Sequence, residues 1–233
     1  MAFSAVLLLA LIIWTAWGNT ALEQNTYTVK SAKLPEAFEG FRIAQVSDLH
    51  NARMGEDNEN LLAMLRQAQP DIIVITGDLI DSQNTDVAVA LRFAEEAVKI
   101  APCYYVTGNH EARVGEYQDL KKSLTDLGVT VLEDEKTELE REGQTITLIG
   151  LNDPSFHENG SAALESALQT LIEGEDGYTV LLSHRPELFD TYARCGADLV
   201  FTGHAHGGQF RLPFIGGLVA PGQGLFPEYD SGL

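Results

Sequence analysis

Short apolar runs rich in β-branched and aromatic residues alternate along this chain with stretches of helical periodicity, and that alternation leaves few folds open. The runs cover residues 42–47, 72–76, 104–107, 129–132, 146–151, 179–183 and 198–202, and each reads as a buried strand. Between several of them apolar residues recur every three or four positions. Leu61, Leu62, Leu65 and Ala68 form one stripe, and Val87, Ala90, Leu91, Ala94, Ala97 and Val98 a second. Leu164, Ala167, Leu168 and Leu171 form a third. Strands alternating with amphipathic helices predict an α/β domain whose sheet is largely parallel.

Charge narrows the partners. The 233 residues carry 34 Asp and Glu against 15 Lys and Arg, a net charge of −19. Such a chain is a poor non-specific binder of nucleic acid or anionic lipid, so no nucleic-acid partner is expected. A phosphate-bearing substrate would need local positive charge, which a bound cation can supply. Cys103 and Cys195 lie far apart and in no CxxC pattern, which excludes a disulfide framework and a thiolate zinc site. Two small core residues is the default reading, and a single bridge the alternative.

The N-terminal segment is unlike the rest. No charged residue precedes Glu23, and residues 2–17 are apolar apart from Ser4 and Thr15. Leu7, Leu8, Leu9, Leu11, Ile12 and Ile13 cover every side, and Trp14 and Trp17 sit at the C-terminal end, where interfacial aromatics belong. A retained membrane anchor, a cleavable signal peptide with a small-residue site at 16–18, and a soluble helix are the three readings. The missing polar face counts against the last, and the missing basic n-region against the second. Residues 1–18 are therefore expected to be a single-pass membrane anchor or signal segment, residues 19–40 a polar linker, and residues 41–233 the globular domain. Lys30, Lys33 and Arg42 lie C-terminal of the segment and none lies before it, which leans toward a cytoplasmic domain.

The residues that carry chemistry fall just beyond the predicted strands. Asp48 and His50 follow the first strand, Gly77 and Asp78 the second, and Gly108, Asn109, His110 and Glu111 the third. His184 follows the run at 179–183, and Gly203, His204 and His206 the run at 198–202. Open α/β sheets bind ligands at the carboxyl ends of their strands. Parallel strands would thus deliver two Asp, one Asn and five of the six His to one edge. Buried carboxylates and imidazoles without partners are costly, and a shared cation removes that cost. Oxygen and imidazole donors without thiolate suit Mn²⁺, Fe, Zn²⁺ or Co²⁺. Roughly six to eight candidate ligands exceed the needs of one tetrahedral ion and suit two ions sharing a carboxylate. Gly77, Gly108 and Gly203 read either as points where backbone approaches such a site closely or as ordinary turn glycines.

The motifs Asp48-Leu49-His50, Gly77-Asp78, Gly108-Asn109-His110-Glu111, His184 and Gly203-His204-Ala205-His206 resemble, in order, the motif set of the calcineurin-like metallophosphoesterases. The resemblance runs from about residue 41 to 208. Ile75-Thr76-Gly77-Asp78-Leu79-Ile80-Asp81, Leu182-Ser183-His184-Arg185-Pro186 and Gly203-His204-Ala205-His206-Gly207-Gly208-Gln209 are similar to a bacterial subgroup with an N-terminal membrane segment. Some of that subgroup act on UDP-2,3-diacylglucosamine-type lipid precursors. The resemblance implies a four-layer α/β/β/α sandwich with a dinuclear metal site. It implies hydrolysis of a phosphomonoester, phosphodiester or pyrophosphate, with a lipid-linked phosphate ester as one candidate substrate. It also implies roles: Asp48, His50 and His206 on the first metal, Asn109, His184 and His204 on the second, and Asp78 bridging both. His110 would stand just outside the metals, as general acid or as a donor to the phosphoryl oxygens. The family usually continues beyond the equivalent of Leu233 through strands that complete its second sheet, so an exposed sheet edge is expected. A dinuclear hydrolase of non-phosphate esters or amides and a metal-loaded non-catalytic binding protein are the rival readings.

Four further residues carry two readings each. Glu111 either orients His110 by a hydrogen bond or is a plain helix-start acid. Arg53 and Arg113 either touch substrate phosphate or form surface salt bridges. His157 lies in the loop at 152–160, either solvated or lining the substrate pocket.

Overall fold

The computed structural model describes residues 21–209 and 216–230, residues 211, 212 and 232, and the isolated positions 6, 8, 9 and 18. Most of the segment read as an anchor or signal thus lies outside the described residues. Among those described, no helix is long and apolar enough to cross a membrane.

Two four-stranded sheets form the centre. In the first, β1 (Ile43–Val46), β2 (Ile72–Thr76), β3 (Cys103–Val106) and β4 (Thr130–Val131) pair in that order, all parallel. In the second, β6 (Gln144–Gly150), β7 (Thr179–Leu182) and β8 (Leu199–Phe201) run parallel, and β5 (Glu135–Arg141) is added antiparallel to β6. The side-chain period of two sorts each strand between two faces. Ile72 and Val74 of β2 pack with Ile146 and Leu148 of β6 and Val180 and Leu182 of β7, so the sheets share one core. Ile73 and Ile75 point the other way, into a core with α1 (Glu59–Ala68), α2 (Val87–Ala97) and α3 (Tyr117–Asp126). Ile149 and Leu181 meet α4 (Ser161–Ile172) and α5 (Phe189–Cys195) through Leu164, Leu168 and Tyr192. The layers are therefore α/β/β/α.

Strand β5 escapes a reading that looks for apolar runs. Its sequence is Glu-Lys-Thr-Glu-Leu-Glu-Arg, and Leu139 is its only buried side chain. Such alternation of charge suits an edge strand, where one face meets water. A two-residue loop, Glu142-Gly143, joins it to β6 with both residues at positive φ (53° and 76°), the geometry that tight hairpins favour. Helix α3 buries only Tyr117, Leu120 and Leu124, and α5 only Tyr192, so neither shows a long apolar stripe. Beyond β8 come two antiparallel pairs of two-residue strands, β9 (Arg211–Leu212) with β10 (Gly216–Gly217) and β11 (Val219–Ala220) with β12 (Gly224–Leu225). Among the described residues, β8 pairs with β7 alone and leaves an edge.

Part of the stretch read as linker packs on the domain. Phe38 is buried in the core between the sheets, with Leu34 and Ala37 against it, and Lys33 pairs with Asp198 at 2.7 Å. Cys103 and Cys195 are both free, the first buried and the second partly so.

Leu148 is fully buried where the two sheets meet, opposite Val180. Leu148→Ala should therefore lower the free energy of unfolding by about 2–5 kcal/mol, measured by urea denaturation. A loss under about 1 kcal/mol would mean that the sheets do not depend on this shared core.

Candidate metal centre

The carboxyl ends of β1, β2, β3, β7 and β8 converge on one edge of the sandwich and bring five loops together. Within that edge three overlapping groups of side chains have donor atoms within 4.8 Å of one another: Asp48 with His50 and His206, His50 with Asp78 and His110, and Asp78 with His184 and His204. Asp78 Oδ2 lies 3.2 Å from His184 Nε2, 3.6 Å from His50 Nε2 and 4.0 Å from His110 Nε2. Asp48 Oδ1 lies 3.7 Å from His206 Nε2 and 3.9 Å from His50 Nε2. His204 Nδ1 is 3.2 Å from His184 Nε2. The rings of His50 and His206 stack with centroids 5.0 Å apart, and the His110 ring meets His50 edge-on at 4.4 Å. Asn109 is buried next in sequence to His110, whose backbone N–H donates to Asp78 Oδ1 at 2.8 Å.

The loops hold this cluster at a local cost. Asp48, His50, Asp78, His204 and His206 all adopt the left-handed conformation, with φ between 46° and 65°. Asp and His tolerate that region better than most residues, yet it persists only where surrounding contacts over-determine it. Here the loops bond to one another. Asp48 N–H donates to the Gly77 carbonyl at 3.1 Å, His50 N–H to the Asp78 carbonyl at 3.0 Å, and His204 N–H to the Asp48 carboxylate at 2.9 Å. Two glycines let them approach this closely. A Cβ on Gly108 would lie 2.3 Å from Asp78 Oδ1, and one on Gly203 would lie 2.0 Å from Ser47 Oγ.

Glu111 does open a short 3-10 helix, Glu111–Arg113, but its carboxylate has a further task. It is fully buried, and its carboxylate accepts from the backbone N–H groups of Asp78, Leu79, Ile80 and Gly108 at 2.8–3.3 Å. It therefore pins the loop after β2 to the loop after β3 and makes no bond to the His110 ring. The sequence places an acid after His110 but gives no sign that three donors from another loop and one from its own surround it. Burial and the neighbouring Asp78 charge push its carboxyl up to about 7, against the pull of those N–H groups.

Electrostatics around Asp78 follow from its burial. It is 1% exposed. Burial opposes its charge, but a hydrogen bond and charge from His184, with a further bond from the His110 backbone, hold it far below the usual carboxylate range. His184 shows the reciprocal effect: burial disfavours its proton, yet Asp78 and Asp48 raise it to about 9. Its Nδ1 donates to the Thr76 carbonyl at 2.8 Å, which leaves Nε2 facing the two carboxylates. His204 is driven the other way, to about 3, by burial and then by the Arg185 guanidinium. His50 is lowered, chiefly by burial.

Arg185 is the neighbour that sequence reasoning passed over. The motif that contains it assigns it no role, and its sequence signal is adjacency to His184. Its guanidinium grips both oxygens of the buried Asp153, at 2.5 and 3.0 Å, and Nη1 reaches His204 Nε2 at 2.9 Å. Arg53 instead pairs with Asp86 at 3.0 Å on the surface, and Arg113 is exposed. His157 stands against Asp134 at 3.3 Å and belongs to none of the three groups.

The donor set fits divalent cations. His50 Nε2 and Asn109 Oδ1 are buried and have no hydrogen-bond partner. Orphaned buried polar atoms are rare and costly. Two of them in the same loops as two carboxylates and four further imidazoles are explained by ions that take their lone pairs. The set is oxygen and nitrogen only, with both cysteines in the packed cores rather than at the site.

Removing the Glu111 clamp tests how the loops are held. Glu111→Ala should cost about 3 kcal/mol or more of stability, since it leaves four buried N–H donors without an acceptor. Glu111→Gln, which keeps one carbonyl oxygen, should cost less. Melting temperatures read the order, and a Glu111→Ala protein as stable as wild type would show that the clamp is dispensable.

Comparison with known proteins agrees with this arrangement. The family described as calcineurin-like phosphoesterase matches residues 41–208. The uncharacterized metallophosphoesterase YkuE of Bacillus subtilis is 30% identical over 219 residues, which span 91% of this chain and 73% of that protein. Phosphodiesterase YaeI of Escherichia coli is 26% identical over 187 residues, covering 78% of this chain and 66% of that protein. Among solved structures, TT1561 of Thermus thermophilus superposes with a TM-score of 0.56 at 18% identity, over 70% of this chain and 81% of that one, a likeness of fold. With the motifs, the layers and the clustered Asp and His side chains in agreement, the chain belongs to the calcineurin-like phosphoesterase family and is a phosphoesterase hydrolase.

Proposed function

We propose that this chain hydrolyses a phosphate ester with two divalent metal ions at the site around Asp78. The observation that carries the reading is the position of Asp78. Its buried carboxylate belongs both to the group with His50 and His110 and to the group with His184 and His204. A carboxylate shared in this way is what a bridging ligand requires. Asp48, His50 and His206 would hold one ion, and Asn109, His184 and His204 the other. Mn, Fe and Zn all suit these donors. Held there, such ions would acidify water and neutralise phosphate oxygens.

The chain's own side chains supply orientation and a proton. The Thr76 carbonyl takes the proton on His184 Nδ1 and so fixes the ring with Nε2 toward Asp78, where it would offer its lone pair to an ion once deprotonated. The Ser82 N–H donates to His110 Nδ1 at 2.9 Å. A neutral ring that accepts at Nδ1 carries its proton at Nε2, the atom that faces Asp78. His110 is thus set to donate from Nε2 to the leaving oxygen.

The bond cleaved is that of a phosphomonoester, a phosphodiester or a pyrophosphate, and the name of the Escherichia coli relative favours the diester. We assign a lipid-linked substrate, of the UDP-diacylglucosamine kind, on the resemblance of the motifs around Asp78, His184 and His204 to the membrane-anchored bacterial subgroup, and the apolar segment 2–17 is compatible with it. That segment is proposed to anchor the enzyme, with the domain on the cytoplasmic side. Full-length protein should then sediment with membranes, and deletion of residues 1–20 should release it; intact chain in the soluble fraction would refute the anchor.

Two activity measurements test the chemistry. Purified protein should hydrolyse an activated aryl phosphate or phosphodiester, lose that activity to a chelator and regain it with Mn²⁺. Chelator-resistant turnover would exclude the metal mechanism. His110→Asn should be slowed roughly 10²–10⁴-fold on an alkyl ester, whose leaving group needs a proton, and far less on a nitrophenyl ester. An equal deficit on both would remove His110 from the acid role.

A further inference from the structure

We infer that Arg185 is the phosphate-binding cation of the site, held ready by Asp153 and presented to substrate when His204 takes a metal ion. The inference rests on the two-metal reading above and adds to it a role for a residue to which the motifs assign none.

The first argument is placement. Asp153 is fully buried, and the loop after β6 positions it. Both of its oxygens are engaged by Arg185, through Nε at 2.5 Å and Nη2 at 3.0 Å. This paired grip fixes the guanidinium plane, as planar forks on carboxylates do. Nη2 also reaches Ser155 Oγ at 3.3 Å, away from the histidines. Nη1 is the remaining prong, and it lies 2.9 Å from His204 Nε2, with Glu187 Oε1 at a looser 3.6 Å. Through His204 it is one ring from His184, and His184 touches Asp78. The guanidinium therefore borders the cluster without belonging to it.

The second argument is lone-pair accounting on His204. Arginine donates and never accepts. The 2.9 Å contact therefore uses the His204 Nε2 lone pair, and a neutral imidazole has only one. If that ring turns its lone pair to an ion at Nδ1, the atom beside His184, its proton moves to Nε2. Nη1 then faces an N–H and keeps only the looser approach to Glu187 at 3.6 Å. The guanidinium remains anchored by Asp153 at the border of the cluster, with that donor free. A half-buried guanidinium N–H that has lost its acceptor is unfavourable, and an anionic oxygen of the substrate phosphate would satisfy it. Metal occupancy and phosphate binding are coupled in this way through one side chain.

The third argument is scarcity. In a chain of net charge −19, Arg53 is committed to Asp86 and Arg113 is exposed. Among the described residues, Arg185 is the Lys or Arg in recorded contact with a member of the cluster.

The test is calorimetric titration of inorganic phosphate into the full-length protein, with Mn²⁺ content measured in parallel. Wild type should bind phosphate more tightly with Mn²⁺ than without it. Arg185→Met should keep its Mn²⁺ content and weaken phosphate binding by roughly 10–100-fold, the range for one charge-assisted contact. Its KM should rise more than its kcat falls. Arg185→Lys, which keeps the charge and loses the fork, should lie between, and it serves as the readout if Arg185→Met does not fold. Phosphate affinity within twofold of wild type at full Mn²⁺ content in either folded variant would overturn the inference and leave the two-metal reading standing. Parallel loss of Mn²⁺ and phosphate would also overturn it, by making Arg185 a support for the metal ligands. A wild-type protein that takes up no Mn²⁺ would overturn both.

Discussion

A carboxylate taken almost entirely out of water must be compensated, and at Asp78 that requirement organises everything around it. Its neighbours supply compensation from every side: His184 at 3.2 Å, His50 at 3.6 Å, and the His110 backbone N–H at 2.8 Å. Without a metal ion, Asp78 and Asp48 favour a proton on His184 against the opposing effect of its burial, and that proton balances the charge. A proton in that position and a cation are alternatives, since a ligating histidine must be deprotonated. The unpaired His50 Nε2 and Asn109 Oδ1 show that protons alone leave the site incompletely satisfied.

Such a site can exist only on a rigid frame. The frame is the parallel arrangement of β1, β2, β3, β7 and β8, which sends five loops to one edge. The buried stretches of β2 and β7, Ile-Ile-Val-Ile-Thr and Thr-Val-Leu-Leu, anchor the loops that carry Asp78 and His184. Glu111 then links two loops of the first sheet, and the Asp48 carboxylate accepts from His204 N–H of the second. These contacts offset the left-handed backbone at five of the site residues. The strain and its compensation lie within the same few residues, at the ends of the buried strands that hold them.

How much of this was legible depended on the kind of residue. Buried strands announce themselves by continuous β-branched runs, and the site residues by landing just after them. Strand β5 gave no such signal, because an edge strand needs only Leu139 on its inner face and fills the rest with charge. Helix α3 was hidden for a similar reason, with three buried side chains in ten residues. Glu111 and Arg185 show the deeper limit. Each sits within a readable motif, but their partners in other loops are 31–33 residues away in one case and 19–32 in the other. A contact across loops of different strands leaves no local trace in sequence. The Phe38 turn was missed because it docks into a space that only the assembled sheets create.

Two ions sharing Asp78 is the claim on which the chemistry turns, and anomalous diffraction from crystals grown with Mn²⁺ tests it most directly. The account predicts two anomalous peaks flanking the Asp78 carboxylate. One should be bounded by Asp48, His50 and His206, and the other by Asn109, His184 and His204. A single peak, or two peaks that do not share Asp78, would contradict it.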